Sequence, residues 1–263
     1  MRNIALLIEY DGTAYGGWQV QKNSNSIQGV IEKILSGLLQ EKIKIIGAGR
    51  TDAGVHANGQ VANFHTHSNW EAGKIVHALN GILPRDIAIS KAVDVPSNFH
   101  SRFDAKARRY LYNVITRKSP NARYFAALFH YEMSIELMNE VSALLIGKRS
   151  FKSFTKYADQ YRHFICNVTT AAWTDFSRVP NPRRISKVGS PDLVFQIEAD
   201  RFLHGMVRAI VGTLIDVGRG KISVGDFRRI LASGDRSMAS MSAPACGLCL
   251  EEVKYEFDVW KQP

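Results

Sequence analysis

The amino-acid sequence predicts an α+β fold in two similar halves, and three observations carry that expectation. Strand-like alternation and helix-like spacing take turns along the chain; the first half reads in the order β-α-β-β-α-β; the second half repeats that plan loosely. The duplication is one of pattern, without a strong residue-level repeat. With 263 residues, 45% of them apolar, the chain can bury a core large enough for one large domain or two smaller ones, which excludes disorder as its main state.

The first half opens on NIALLIEYDG, an alternating strand that ends in an Asp-Gly turn. SIQGVIEKILSGLLQ follows as a helix, with Ser26 as N-cap and Ile27, Val30, Ile31, Ile34, Leu35 and Leu38 at helical spacing. KIKIIGAG and GQVANFHTH read as two strands around a glycine-rich turn. EAGKIVHALNGILP is a helix stopped near Gly81 and Pro84, and DIAISKAVDVP closes the half as a strand.

In the second half RRYLYNVITR is a strand, SIELMNEVSALLIG a helix capped by Ser134, and FICNVTTAAWTDF and DLVFQIEAD are two further strands. HGMVRAIVGTLIDVG and SVGDFRRILASG are helices, and CLEEVKYEF is the last strand. Each half is thus a split β-α-β unit of ferredoxin-like or RRM-like plan, the first over residues 1–104 and the second over 105–263, with their antiparallel sheets expected to fuse edge to edge. The stretch SRVPNPRRISKVGS, residues 177–190, is rich in Pro, Ser, Gly and Arg and reads as a basic surface loop.

Charge narrows the class of partner. Against 24 Asp and Glu stand 34 Lys and Arg, a net charge of +10, which favours a polyanion. Three cysteines, Cys166, Cys246 and Cys249, are too few for a disulfide framework and suit a reducing compartment. The N-terminal segment lacks a signal-like apolar region, and no apolar run reaches bilayer length, so a cytoplasmic protein is expected.

Several chemistries are set aside by spacing. Glycines 47, 49 and 54 depart from the dinucleotide fingerprint because position 52 is Asp, and VGRGKIS lacks the spacing and hydroxyl of a P-loop. PACGLC with HAN falls short of a zinc base deaminase: Asn58 stands where Glu is needed, and Ala245 separates Pro244 from Cys246. His65 and His67 share one strand face with no third ligand placed by sequence. No cofactor and no metal are expected.

Asp52 is the candidate that remains, a lone carboxylate between Arg50 and His56 in GAGRTDAGVHANGQVANF. Before Ala-Gly, an Asp can simply make an Asx-turn and cap its own loop. Beside Arg50 it would instead stay ionised, fit to act as a nucleophile or base. Glycoside hydrolysis needs two carboxylates, so sugar-carbon chemistry here would have to manage with one. FHSRFDAKARRYLYNV interleaves Arg102, Lys106, Arg108 and Arg109 with Phe99, Phe103, Tyr110 and Tyr112. That mixture suits phosphates and a stacked, unpaired base, or equally a solvated entry to a core strand. In DRFLHGMVRAIVGTL, Arg208 sits among apolar residues and must either snorkel to water or pair with a buried acid, for which Asp52 is a candidate.

Taken in order, YDGTAYGGWQVQ, GAGRTDAGVHANGQVANF, FHSRFDAKARRYLYNV, RFLHGMVRAIVGTLIDVGRG and the tail APACGLCLEEVKY resemble the bacterial tRNA pseudouridine synthase A family across nearly the whole chain. The resemblance implies isomerisation of uridine to pseudouridine at tRNA positions 38, 39 and 40, with Asp52 as the catalytic aspartate. It implies that Tyr110 stacks on or near the target uracil, that Arg208 pairs with Asp52, and that Arg50 holds the flipped nucleotide's place. Leu248 would lie beneath the base, while Arg102, Arg109 and His56 are candidate substrate contacts around a central RNA-binding cleft. Family members resemble one another in forming homodimers that share a tRNA and in needing no cofactor. Whether the aspartate bonds to the nucleotide or removes a ribose proton stays open at this level. Cys249 departs from the pattern, standing where a bulkier aromatic is expected.

Overall fold

A computed structural model of the chain describes residues 1–177 and 190–261. Residues 178–189, the body of the predicted basic loop, lie outside the described residues. The fold is mixed α/β, with ten strands and five α-helices among the described residues. The chain divides into two compact units, Met1–Ala107 with Cys249–Pro263, and Arg108–Leu248.

The first unit holds β1 (Arg2–Tyr10), α1 (Ile27–Leu39), β2 (Ile46–Gly47), β3 (His56–Thr66), α2 (Ala72–Ile82) and β4 (Ile87–Val95). Strand β1 lies between β4 and β3, antiparallel to both, and β2 pairs antiparallel with the far end of β3. Helix α1 starts where the sequence places it: the Ser26 hydroxyl accepts the Gly29 N–H, satisfying one of the first-turn donors. Its buried stripe includes Ile27, Ile31 and Leu35, each fully buried and each contributing about 1.5–3 kcal/mol relative to exposure.

The segment read as the strand KIKIIGAG pairs only over Ile46–Gly47. Ahead of it, side chains of α1 take the backbone groups that a neighbouring strand would have used. Ile43 N–H donates to Ser36 Oγ at 2.9 Å, Ile45 N–H donates to Glu32 Oε1 at 3.1 Å, and Gln28 Nε2 donates to the Ile45 carbonyl at 3.1 Å. The alternation there still has a physical basis, since Ile43 and Ile45 are both buried.

The second unit carries β5 (Ala107–Ile115), β6 (Ala127–Leu128), α3 (Ile135–Ala143), β7 (Gly147–Ser150), β8 (Ile165–Asp175), β9 (Leu193–Ala199), α4 (Met206–Gly218) and α5 (Val224–Ser233). The strands run in the order β5-β9-β8-β7 with antiparallel neighbours, and β6 pairs parallel with β5. Ser134 caps α3, as expected, and Ser223 with Asp226 forms a reciprocal capping box on α5. Helix α4 is the core of this unit: of its thirteen residues only Arg208 and Asp216 escape full burial. The final strand, β10 (Leu248–Lys254), returns to the first unit, where Cys249 and Leu250 run parallel to His56 and Ala57 of β3.

Candidate active site

Asp52 lies half-buried in the turn between β2 and β3, and the loop that follows β1 clamps that turn from several sides. Trp18 N–H donates to the Thr51 carbonyl at 3.1 Å, and Gly54 N–H donates to the Tyr15 carbonyl at 3.3 Å. The Tyr10 and Thr51 hydroxyls meet at 2.8 Å in a buried bond. Gly17, at φ 99°, is what allows so close an approach: a Cβ there would sit 2.5 Å from the Thr51 carbonyl oxygen. From β3, Gln60 Nε2 donates to the Gly49 carbonyl at 2.9 Å. Asp52 is therefore carried on a short turn held from both sides by backbone and buried side chains, the condition for a precisely aimed carboxylate.

The flanking residues have distinct surroundings. Arg50 is exposed two residues ahead of half-buried Asp52 in the same turn. The glycine-rich turn sends the guanidinium outward, towards solvent. His56 is 4% exposed, and its Nδ1 accepts the Gly12 N–H at 3.2 Å. That nitrogen lies only 3.1 Å from Asp11 Oδ1. Tyr15 O–H donates to Asp86 at 2.7 Å, and burial, aided by that bond, drives the phenol's pKa well above its usual value.

Arg102 is exposed beside Phe103, with its guanidinium carbon 5.6 Å from the ring centre, and Phe103 itself is 74% exposed. The backbone N–H groups of Arg102 and Phe103 both reach His100 Nδ1, which shapes this basic-aromatic corner.

In the second unit, Tyr110 lies on β5 opposite Ile197 and is buried, meeting the ring of Phe202 edge-on at 5.2 Å. Arg109, next to it, faces Glu198 across the strand pair. Tyr112, two residues on and therefore on the same face, donates from its hydroxyl to the Pro244 carbonyl at 2.9 Å. Burial raises the Tyr112 pKa far above the usual phenol range. Arg208 projects from α4, where Nε donates to the Ala243 carbonyl at 2.8 Å. Leu248, at the start of β10, is buried. The structure thus sorts the sequence-derived residues by unit, with Arg50, Asp52, His56 and Arg102 in the first and Arg109, Tyr110, Arg208 and Leu248 in the second.

Sequence reasoning missed the supports of the Asp52 turn: Tyr10, Gly17, Thr51 and Gln60. The YDGTAYGG run held a signal for one of them, since closely spaced glycines mark places where backbone must approach backbone. Cys246 and Cys249 carry raised pKa values caused first by burial, Cys249 to about 12. Among the described residues no helix is long and apolar enough to cross a membrane.

A half-buried carboxylate on a pinned turn, with exposed arginines and aromatics in the same unit, is the setting in which the family comparison is read, and that comparison gives the class of enzyme. The family described as tRNA pseudouridine synthase matches residues 6–104 and 141–256. The chain is 40% identical to tRNA pseudouridine synthase A of Bacteroides thetaiotaomicron, over 100% of this chain and 94% of that protein. It is similarly 40% identical to the protein of that name from Bacteroides fragilis, over 97% of each chain, and 39% identical to that of an Exiguobacterium species, over 97% of this chain and 99% of the other. The chain belongs to the tRNA pseudouridine synthase family, a class of isomerases.

Proposed function

We propose that this protein isomerises uridine to pseudouridine at positions 38, 39 and 40 of the tRNA anticodon stem-loop, with Asp52 as its catalytic carboxylate. The observation that carries the reading is the pinned turn that presents Asp52. The bond from ribose C1' to uracil N1 breaks, C1' joins C5, the C5 proton leaves and N1 gains one. Every atom is retained, with no incoming water and no departing group. One oriented carboxylate therefore suffices where hydrolysis of a glycosidic bond needs two.

The other roles follow the family resemblance. Tyr110 stacks on or near the uracil, Arg208 pairs with Asp52, Leu248 supports the base from below, and Arg50 takes the place of the extruded nucleotide. Arg102, Arg109 and His56 complete the substrate contacts. Extruding a base costs a few kcal/mol and least where it is already poorly stacked, which suits a loop and its flanking stem. The reading extends to a cofactor-free homodimer acting in the cytoplasm. We further read each half as a ferredoxin-like repeat, supported in the first unit by the order β4-β1-β3-β2 that a split β-α-β plan requires.

The test is to incubate unmodified tRNA transcripts with the wild-type protein and with Asp52→Asn, then map pseudouridine by carbodiimide labelling and primer extension. Product in the anticodon arm with the wild type, and a loss of about 10²–10⁴-fold or more with the variant, is expected. Binding without product from either protein would replace the enzyme by an RNA-binding protein.

A further inference from the structure

A pocket of about 450 Å³ opens in the second unit, and its charge is one-sided. Arg208, Arg236 and Lys156 line it together with the hydroxyl-bearing Ser237, Ser240 and Ser242, and no carboxylate contributes to the wall. Arg236 is the informative member. Its Nη1 donates to the Ala239 carbonyl at 3.0 Å and its Nη2 approaches Ser242 Oγ at 3.4 Å, while its Nε is buried and has no hydrogen-bond partner. The adjacent Asp235 is not its counter-ion, because that carboxylate accepts from Ser237 N–H and Oγ, each at 2.8 Å. Burial lowers the Arg236 pKa, and no acid opposes the shift. A partly buried cation without a counter-ion is costly, and the exposed Lys156 ammonium on the same wall adds repulsion. An anion supplied from outside reverses both penalties.

We propose that this pocket is a phosphate subsite, built to receive one phosphodiester of the RNA backbone between Arg236, Lys156 and the serine hydroxyls. The assignment rests on the tRNA reading above for the source of the phosphate. The forked guanidinium and the hydroxyls match the oxygens of a phosphate, while exposed Lys156 adds a point charge at the mouth. Met241, 89% exposed on the same wall, offers an apolar surface to an adjoining sugar or base, which a site for free inorganic phosphate would not need.

The experiment measures binding of an unmodified tRNA transcript to the full chain across a salt series, for the wild type, Lys156→Gln, Arg236→Gln and Lys33→Gln. Lys33 is an exposed residue of α1 outside the pocket and serves as the control. Each pocket variant is expected to weaken binding and to lower the slope of log affinity against log salt by about 1, whereas Lys33→Gln keeps the wild-type slope. A purely structural role for Arg236 would lower the melting temperature without moving the slope. Because Lys156 is exposed, its variant keeps the test decisive even if Arg236→Gln fails to fold. A wild-type slope in Lys156→Gln overturns the subsite. Pseudouridine mapping on the wild type separates the two readings: product with an unchanged slope removes the subsite alone, and a reduced slope without product removes the isomerase while keeping the subsite.

Discussion

Arg208 and Ala243 exchange two hydrogen bonds: Arg208 Nε donates to the Ala243 carbonyl at 2.8 Å, and the Ala243 N–H donates to the Arg208 carbonyl at 2.9 Å. The segment around residue 240 is thereby laced along α4, with Ser240 N–H donating to Thr213 Oγ1 at 3.2 Å. Gly212 lets it lie flush, since a Cβ there would fall 2.0 Å from the Met241 carbonyl oxygen. Arg208 is therefore aimed by a backbone carbonyl through one nitrogen of its guanidinium. Lysine keeps the charge but has no Nε–H to give. Arg208→Lys is expected to lose roughly 1.5–3 kcal/mol of oriented, charge-assisted bonding, a ten- to hundredfold fall in kcat/KM for pseudouridine formation. A variant with wild-type kinetics would show that the charge alone matters.

The Asp52 turn depends on Gly17 in the same direct way. Gly17→Ala must relieve both a φ of 99° and the contact with the Thr51 carbonyl, so a loss of about 1–3 kcal/mol is expected together with a lowered kcat. Gly37 is the internal comparison: it is exposed within α1, with nothing within 4 Å of an added Cβ. Gly37→Ala should raise stability by about 0.5–1 kcal/mol and leave activity unchanged. Urea titration of both variants checks the signs, and equal effects would refute the account of the turn.

The contrast between these glycines explains how much was legible beforehand. Helices α1 and α3 could be read because a hydroxyl stands ahead of an apolar period, and both Ser26 and Ser134 do cap. Arg208 could be singled out because a charge among apolar neighbours is locally unusual and Asp52 because it is a lone carboxylate in a glycine-rich turn, whereas the role expected of Tyr110 came only with the family resemblance. KIKIIGAG misled because alternation reports burial, while strand pairing depends on where the N–H groups of Ile43 and Ile45 find partners, and these are side chains of α1. Short β7 has little apolar signal in GKRS, and the return of β10 to β3 is set by partners nearly two hundred residues away, as in Asn58 donating to Glu251 at 2.8 Å, a separation of 193. The charged pocket around Arg236 escaped notice because Lys156, Arg208 and Arg236 come from widely separated stretches of the sequence.

The thiols give a pH prediction. Burial raises Cys166 and Cys249 to about 12 from the ordinary 9.0. A raised thiol pKa favours the neutral form in the folded state, so the associated stability is fully present below 9.0 and is lost as the pH climbs towards about 12. At pH 8 neither buried thiol should react with a disulfide reagent in the native protein, whereas half-buried Cys246 reacts slowly and all three react after unfolding. Rapid native labelling at Cys249 would contradict its burial against β3.

Gln60 tests whether holding the turn and stabilising the fold can be separated. It is fully buried; its Nε2 serves the Gly49 carbonyl, while its Oε1 has no hydrogen-bond partner. Replacing Gln60 by Leu removes one bond, worth about 0.5–1.5 kcal/mol net, and also removes a buried acceptor whose desolvation costs about 1–3 kcal/mol. The two nearly cancel, so Gln60→Leu should unfold within about 1 kcal/mol of the wild type by urea titration. Catalysis has no such compensation, because the Gly49 carbonyl loses its tether three residues before Asp52. We expect kcat to fall with little change in the affinity for tRNA. A wild-type kcat in a Gln60→Leu protein of wild-type stability would mean that the clamp from the β1 side is sufficient to aim the carboxylate.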